Sequence, residues 1–430
     1  MKKLLIILLL LSATTVLYGQ TGHIMQGIGA TNMSMGGAAT ALPIDISGTL
    51  HWNPAGISTF DETIISLNSG FFFSSPEISS TVPTQNGPVS GTTEDDRGMS
   101  VMPALAVVFG KTDSKHTFGI SAFGISGFGV DFPENMSNPI NMPQNMGGFG
   151  HLESDYLLFQ LGVSYAYQVN EHFSVGIEPT VDYSALKLLP NPISPPDQNR
   201  GYPESDRASA LGFGAQIGLL YQFENGLNVG ASYKTAQSFG DFEFDNTYLD
   251  ETDAPSVKFN MDYPAIYSVG LGYSQELFDL ALDYRLVDYE NTDGFAKNGW
   301  TQQASIAGFG WENVSIISAG VQIKALQVLP VRLGYTYSTN PIQDDLAFFS
   351  SPATAIIQNA FQIGTGYEVI ENLTVNMTFH HGTSDGATSG PLLSPMMVSG
   401  TNPTGAIQGS EVSYEMTTNM FMIGIQYTLK

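Results

Sequence analysis

The feature that most constrains this chain is a period-two alternation whose second face carries almost no charge. Phe159, Leu161, Val163, Tyr165, Tyr167 and Val169 are apolar, while Gln160, Gly162, Ser164, Ala166 and Gln168 between them are small or polar. Leu211, Phe213, Ala215, Ile217, Leu219, Tyr221 and Phe223 repeat the pattern, with Gly212, Gly214, Gln216 and Gly218 interleaved. Successive side chains of a strand point to opposite faces, so each segment has one apolar face and one polar face. A soluble sandwich would bury the first and clothe the second in charge. Here only 13% of the 430 residues are charged, against about 25% in ordinary soluble proteins. The combination fits lipid on one side and a crowded polar bore on the other. In hydrocarbon no backbone donor or acceptor can be left unpaired, so such strands must close on themselves.

Fourteen segments of this kind can be marked, at about 63–73, 101–110, 116–125, 157–169, 172–185, 209–223, 226–239, 264–274, 277–289, 312–324, 330–338, 359–369, 372–382 and 412–429. Six connections are short, such as Asn170-Glu171 and Glu224-Asn225-Gly226. Seven are long: 74–100, 126–156, 186–208, 240–263, 290–311, 339–358 and 383–411. Short turns at one end and long loops at the other are the arrangement of an outer-membrane barrel, and an even strand count leaves both termini in the periplasm. The fold class expected is an all-β, fourteen-stranded antiparallel transmembrane barrel over 63–430. The last strand ends Gly424-x-x-Tyr427-x-Leu429, similar to the C-terminal signal read by the barrel-assembly machinery, although Leu429 and Lys430 replace the usual terminal Phe. That machinery and outer-membrane lipid are therefore expected partners.

The start of the chain reads as a leader. Lys2 and Lys3 are followed by the apolar run Leu4 to Leu11, and Gly19 suits cleavage before Gln20, giving a signal peptide over 1–19. The run is short of the roughly 20 residues that span a bilayer as a helix. A formal net charge of −25 argues against nucleic-acid binding, which needs Lys and Arg to neutralise phosphates. The acids gather in expected loops, at Glu94-Asp95-Asp96, Asp250-Glu251 and Asp344-Asp345. Solvated loop tips explain them, as does divalent-cation bridging to anionic lipid. No Gly-x-Ser-x-Gly elbow or His-Glu-x-x-His motif is present, and the adjacent pair His380-His381 would point to opposite faces of a strand. The reading is of a non-enzyme without cofactor or metal site; no cysteine exists to form a disulfide.

Residues 20–62 do not alternate. They are rich in Gly and Ala and poor in charge, able to fold compactly within a narrow space. Met35-Gly36-Gly37-Ala38 and Asn53-Pro54-Ala55 resemble the hatch segment and Asn-Pro-Ala motif of the FadL-type long-chain fatty-acid transporter family. Tyr263-Pro264-Ala265 with Ser268-Val269-Gly270, and Arg332-Leu333-Gly334-Tyr335 closed by Pro341, are similar to two further strands of that family in the same order. The resemblance runs the whole length. It implies an N-terminal hatch (20–62, with Asn53, Pro54 and Ala55 as its motif) plugging the lumen. It also implies a hydrophobic small-molecule ligand captured on outer loops and released sideways where the third strand is kinked. Some members instead serve as protein-binding subunits of a type IX secretion system, with a triplet that tends to read Asn-Ala-Ala; that is the alternative.

The residues add their own evidence for a kink. Phe118, Ile120 and Ala122 hold one face of the third strand, then Phe123 and Ile125 take the other beside Gly124, which either a bulge or fraying explains. The loop expected at 126–156 carries Phe128, Met136, Met142 and Met146, flexible apolar side chains suited to capturing ligands or to lidding the mouth. By strand parity Lys234, Arg285, Lys324 and Arg332 point inward. They either pair with inward acids or leave one cation for an anionic head group; Arg285 and Arg332 are the candidates, Arg332 the better one because it begins a family-like strand.

Overall fold

The structure is a computed structural model that describes residues 22–325 and 329–429; the expected leader lies outside the described residues. Fourteen antiparallel strands form one closed ring: β1 Thr63–Thr84, β2 Met99–Phe109, β3 His116–Phe132, β4 Leu152–Gln168, β5 Phe173–Leu189, β6 Ala208–Gln222, β7 Leu227–Lys234, β8 Ala265–Ser274, β9 Phe278–Asp288, β10 Val314–Ile323, β11 Val331–Ser338, β12 Ile357–Ile370, β13 Leu373–Ser384 and β14 Glu411–Leu429. Each strand pairs with the next, and β14 returns to β1 from Thr63↔Leu429 to Thr81↔Glu411. Among the described residues each of the fourteen strands has a neighbour on both sides, as a bilayer demands. Among the described residues no helix is long and apolar enough to cross a membrane.

The alternation becomes an outside and an inside. On β6, Phe213, Ile217 and Leu219 are 62%, 53% and 49% exposed, whereas Gln216 between them is 1% exposed. Outward tyrosines mark both rims, Tyr221, Tyr367 and Tyr427 near the short turns and Tyr267 and Tyr284 near the long loops, the positions of interfacial aromatic girdles.

Several boundaries differ from the sequence reading: the strand expected at 226–239 stops at Lys234, the loop expected at 240–263 holds Phe242–Thr247 paired with Asp253–Phe259, and two further changes bear on the site. β1 and β14 stay paired over Thr63–Thr81, roughly 65 Å of strand at ~3.4 Å per residue, well beyond what a bilayer needs. They stand above the long-loop rim, and Gly87–Glu94 folds back on β1, so the expected loop 74–100 is mostly hairpin. Its Ser- and Thr-rich residues alternate too weakly in polarity to be read as strand. In the other case β3 runs on to Phe132 and β4 begins at Leu152, so the connection is 133–151 rather than 126–156.

Residues 22–60 lie inside the ring and touch strands all round it. They hold two short helices, α1 Ala30–Ser34 and α2 Ile46–Trp52, and a 3-10 turn at Pro54–Thr59. Asp45 caps α2, accepting from the Ser47 and Gly48 amides at 3.1 Å each; this satisfies donors that have no partner within the helix. The small inward residues of the wall let this backbone come close. A Cβ on Gly218 would sit 2.0 Å from Asn53 Oδ1, and one on Gly334 2.1 Å from the Gly36 nitrogen. The glycines that make the polar face of the alternation are thus the seats of the internal segment.

Candidate functional site

Between β2 and β3 the wall is interrupted by the chemistry of two residues. β2 and β3 pair from Phe109↔Phe118 to Ala104↔Phe123 and then part. The next residue on β2 is Pro103, which has no N–H to give. On β3, Gly124 lies opposite Phe159 and Ser126 opposite Leu158, leaving Ile125 as an extra residue. That is a β-bulge, not fraying, since pairing with β4 resumes and continues to Phe132↔Leu152. Before it the buried face is Thr117, Ser121 and Phe123; Ile125 in the bulge is buried too, and after it Ser126, Val130 and Phe132. The apolar residues Phe123 and Ile125 accordingly face the bore, at 1% and 0% exposure. A Cβ on Gly124 would meet nothing nearer than Pro103 Cδ at 3.7 Å, so space remains between the strands.

A cavity of about 590 Å³ occupies that space. Its lining crosses the wall: Val101 and Leu157 belong to the lipid-facing side, 55% and 40% exposed, while Tyr156 and Leu158 are 1% exposed. Phe128 lines it and stacks on Tyr156 with ring centroids 4.8 Å apart. Expected in a loop, Phe128 is a strand residue because β3 resumes after the bulge.

The N-terminal end of the internal segment covers the inner side. Met25 N donates to Ile125 O at 3.0 Å, Gly127 N to His23 O at 3.2 Å, and Ser126 Oγ to His23 O at 2.9 Å. These contacts take up β3 backbone that β2 no longer reaches. The His23 ring is held in an aromatic cage, stacked 4.7 Å from Phe295 with Tyr156, Tyr263, Tyr289 and Trp311 around it. Tyr289 Oη accepts from His23 N–H at 3.4 Å and lies 2.7 Å from Nδ1. Burial pushes the imidazole down to about 3, so it is neutral and able to accept there. Sequence reasoning missed this cage, whose rings come from separate strands and loops.

Asn53 and its neighbours sit deeper, against β6. Asn53 Nδ2 donates to Thr40 O at 2.7 Å and to Leu219 O at 3.0 Å, and its Oδ1 accepts from Ala55 N at 3.1 Å. Pro54 starts the 3-10 turn, and all three residues of the triplet are buried. In the loop 133–151, Met136 and Met146 are 56% exposed and Met142 is half-buried. Met396, 92% exposed at the tip of another outer loop, was not singled out from the sequence.

The two arginines are elsewhere. Arg285 donates to Asp283 at 2.6 Å and to Gly37 O at 2.8 Å, and its guanidinium lies 3.6 Å over the Trp52 ring. Asp283 Oδ2 also accepts from Ala39 N, Thr40 N and Thr40 Oγ1, at 2.9, 2.9 and 2.8 Å. Arg332 is at the short-turn end, in a polar cavity of about 430 Å³ lined by Thr31, Ile44, Lys324 and Glu368. It donates to Gln322 Oε1 at 2.6 Å and Asn376 Oδ1 at 3.1 Å. Its charge partly offsets the burial that pushes the Asp45 carboxyl up to about 6. Arg285 and Arg332 therefore do not join Phe128 and the loop methionines in one site. Their inward direction is the one strand parity implies; parity says nothing of height along the barrel. Among the described residues no group of three metal-ligating side chains is placed to hold an ion.

The family described as outer membrane protein transport protein (OMPP1/FadL/TodX) matches residues 20–429. Solved structures agree in fold. The Pseudomonas putida toluene transporter TodX superposes with a TM-score of 0.67 at 16% identity, covering 94% of this chain and 99% of that one. A Pseudomonas aeruginosa FadL homologue gives 0.71 at 12%, with 94% and 99% covered. The Ralstonia pickettii toluene transporter TbuX gives 0.63 at 17%, again with 94% and 99%. No curated protein matches by sequence.

Proposed function

This chain belongs to the outer membrane protein transport protein family, an outer-membrane barrel for transport and not an enzyme, and from that premise we propose that it admits apolar small molecules through its wall. Outer-loop methionines such as Met136, Met142 and Met146 collect the compound, Phe128 and Tyr156 receive it beside the bulge, and it leaves between β2 and β3. The observation that carries this reading is the cavity whose lining runs from lipid-exposed Val101 and Leu157 to buried Tyr156. A molecule released there enters hydrocarbon without crossing the polar bore.

Residues 20–62 act as the hatch in this account. They obstruct the axial path, and their His23 end is the piece that must shift before a ligand reaches the opening. Arg285 and Arg332 fasten the hatch and wall rather than bind a head group: Arg285 is held by Asp283, Ser318 and Gly37 O, and Arg332 by Gln322 and Asn376. Both termini belong in the periplasm with the short turns, where the last strand would be presented to the barrel-assembly machinery. The carried compound is apolar, a long-chain fatty acid or a small aromatic.

Purification in mild detergent followed by mass spectrometry tests the proposal. A co-purifying apolar small molecule supports it; secreted proteins in its place would favour a type IX secretion subunit. Nothing in the comparisons favours that alternative, and the triplet reads Asn53-Pro54-Ala55.

A further inference from the structure

The opening between β2 and β3 is bounded at both ends. Its lower sill is the last backbone pair, Ala104↔Phe123. Its upper edge is made by side chains. Arg97, two residues before β2 begins, reaches across β3 to β4: Nη2 donates to Asp155 Oδ1 at 2.6 Å and Nη1 to Ser154 O at 3.3 Å. The guanidinium lies directly on the β3 backbone, since a Cβ on Gly129 would come 0.9 Å from Arg97 Nη1. Arg207 holds the other oxygen of Asp155, so one carboxylate anchors two arginines. Between sill and upper edge lie Met99–Pro103, a height of roughly 17 Å at ~3.3 Å per residue.

We propose that Arg97 is the lintel of the wall opening and sets the largest compound that passes through it. This rests on the lateral route proposed above and adds a size-selecting residue to it. Three facts fit a selecting part better than a loop fastener alone. Arg97 lines the cavity itself, together with Asp155 and Ser154. The strand beneath it is reduced to glycine at the one place where the guanidinium must lie. The loop does not need Arg97 to stay attached, because Asp96 N donates to Asp131 O at 2.8 Å and Asp131 N to Asp95 Oδ1 at 2.6 Å. Removing the side chain therefore enlarges the opening while the backbone contacts persist.

The test compares a narrow and a broad apolar compound, ¹⁴C-toluene and ¹⁴C-phenanthrene. Initial uptake is measured in cells lacking other hydrophobic channels and normalised to folded barrel. Arg97→Ala, and separately Asp155→Asn, should raise phenanthrene uptake roughly tenfold while toluene changes by less than about twofold, as expected when a steric limit is relaxed. Deletion of Ile125, which removes the bulge, should abolish uptake of both. If neither variant changes the ratio of the two compounds, or both compounds move together, Arg97 only fastens the loop and the inference fails, while the channel reading stands on the Ile125 result. If wild-type cells take up toluene no faster than cells without the protein, the channel reading fails and the lintel with it.

Discussion

Replacing Asp283 by Asn should release the middle of the hatch without harming the barrel. The carboxylate accepts from two hatch amides, from Thr40 Oγ1 and from Arg285, and both charged residues are 1% exposed. Asparagine keeps an oxygen for the amides, but it leaves the Arg285 charge without its partner. Breaking a buried pair from one side costs about 3–5 kcal/mol, and the retained acceptor places this case near ~3 kcal/mol. Since each ~1.4 kcal/mol is tenfold, the undocked population of residues 36–41 rises roughly a hundredfold. The ring is held by fourteen strand pairings that Asp283 does not join through its side chain. Hydrogen exchange read by mass spectrometry in detergent should therefore accelerate in hatch peptides covering 36–41, with β9 itself and gel heat-modifiability unchanged. Unaltered exchange there would refute the assignment of Asp283 and Arg285 as the hatch fastening.

Asn53→Ala strips partners from Thr40 O, Leu219 O and Ala55 N, a loss of about 2–3 kcal/mol; entry of small polar antibiotics should rise while barrel level stays constant. Arg332→Gln should lower thermal stability and weaken a fatty acid and its uncharged alcohol alike in a binding titration, whereas a selective loss of the acid would restore the head-group role. The His23 end should loosen as pH falls below about 6.5. Burial lowers its pKa to about 3, so the released ring binds a proton between those values and the docked ring does not, and the docking stability present above the unfolded value is lost as pH falls. Trp311, whose ring centroid is 5.9 Å from that of His23, reports the change by fluorescence. Asp45, raised to about 6, acts in the opposite sense at α2. His23→Gln should abolish the pH response of Trp311, and a response that persists would assign it elsewhere.

The strands were legible because a lipid-facing wall leaves its period in the sequence without help from distant residues: Phe213 and Leu219 are outward, Gln216 inward, as their order alone implies. Parity also gave the inward direction of Arg285 and Arg332. What parity does not carry is the partner across the bore. Arg285 meets Gly37 O, 248 positions away, and nothing local to either residue announces it. The kink was half legible. The shift of apolar residues at Phe123 was visible beside Gly124, but whether it was a bulge depended on the register against β4. Arg97 was hidden for a different reason. It lies in an acidic stretch that reads as a solvated loop, and its meaning comes from Gly129 and Asp155, brought beneath it only when β3 resumes after the bulge.

Exit through the wall at the bulge is the step on which the proposed route depends. Its most direct test is the initial uptake of labelled toluene by cells carrying the wild type or the Ile125 deletion, which lets β3 pair with β4 without its extra residue. With the bulge deleted, uptake should fall to the level of cells without the protein, while toluene still binds the purified barrel. Uptake at the wild-type rate, with the deleted strand verified as regular by hydrogen exchange, would contradict it.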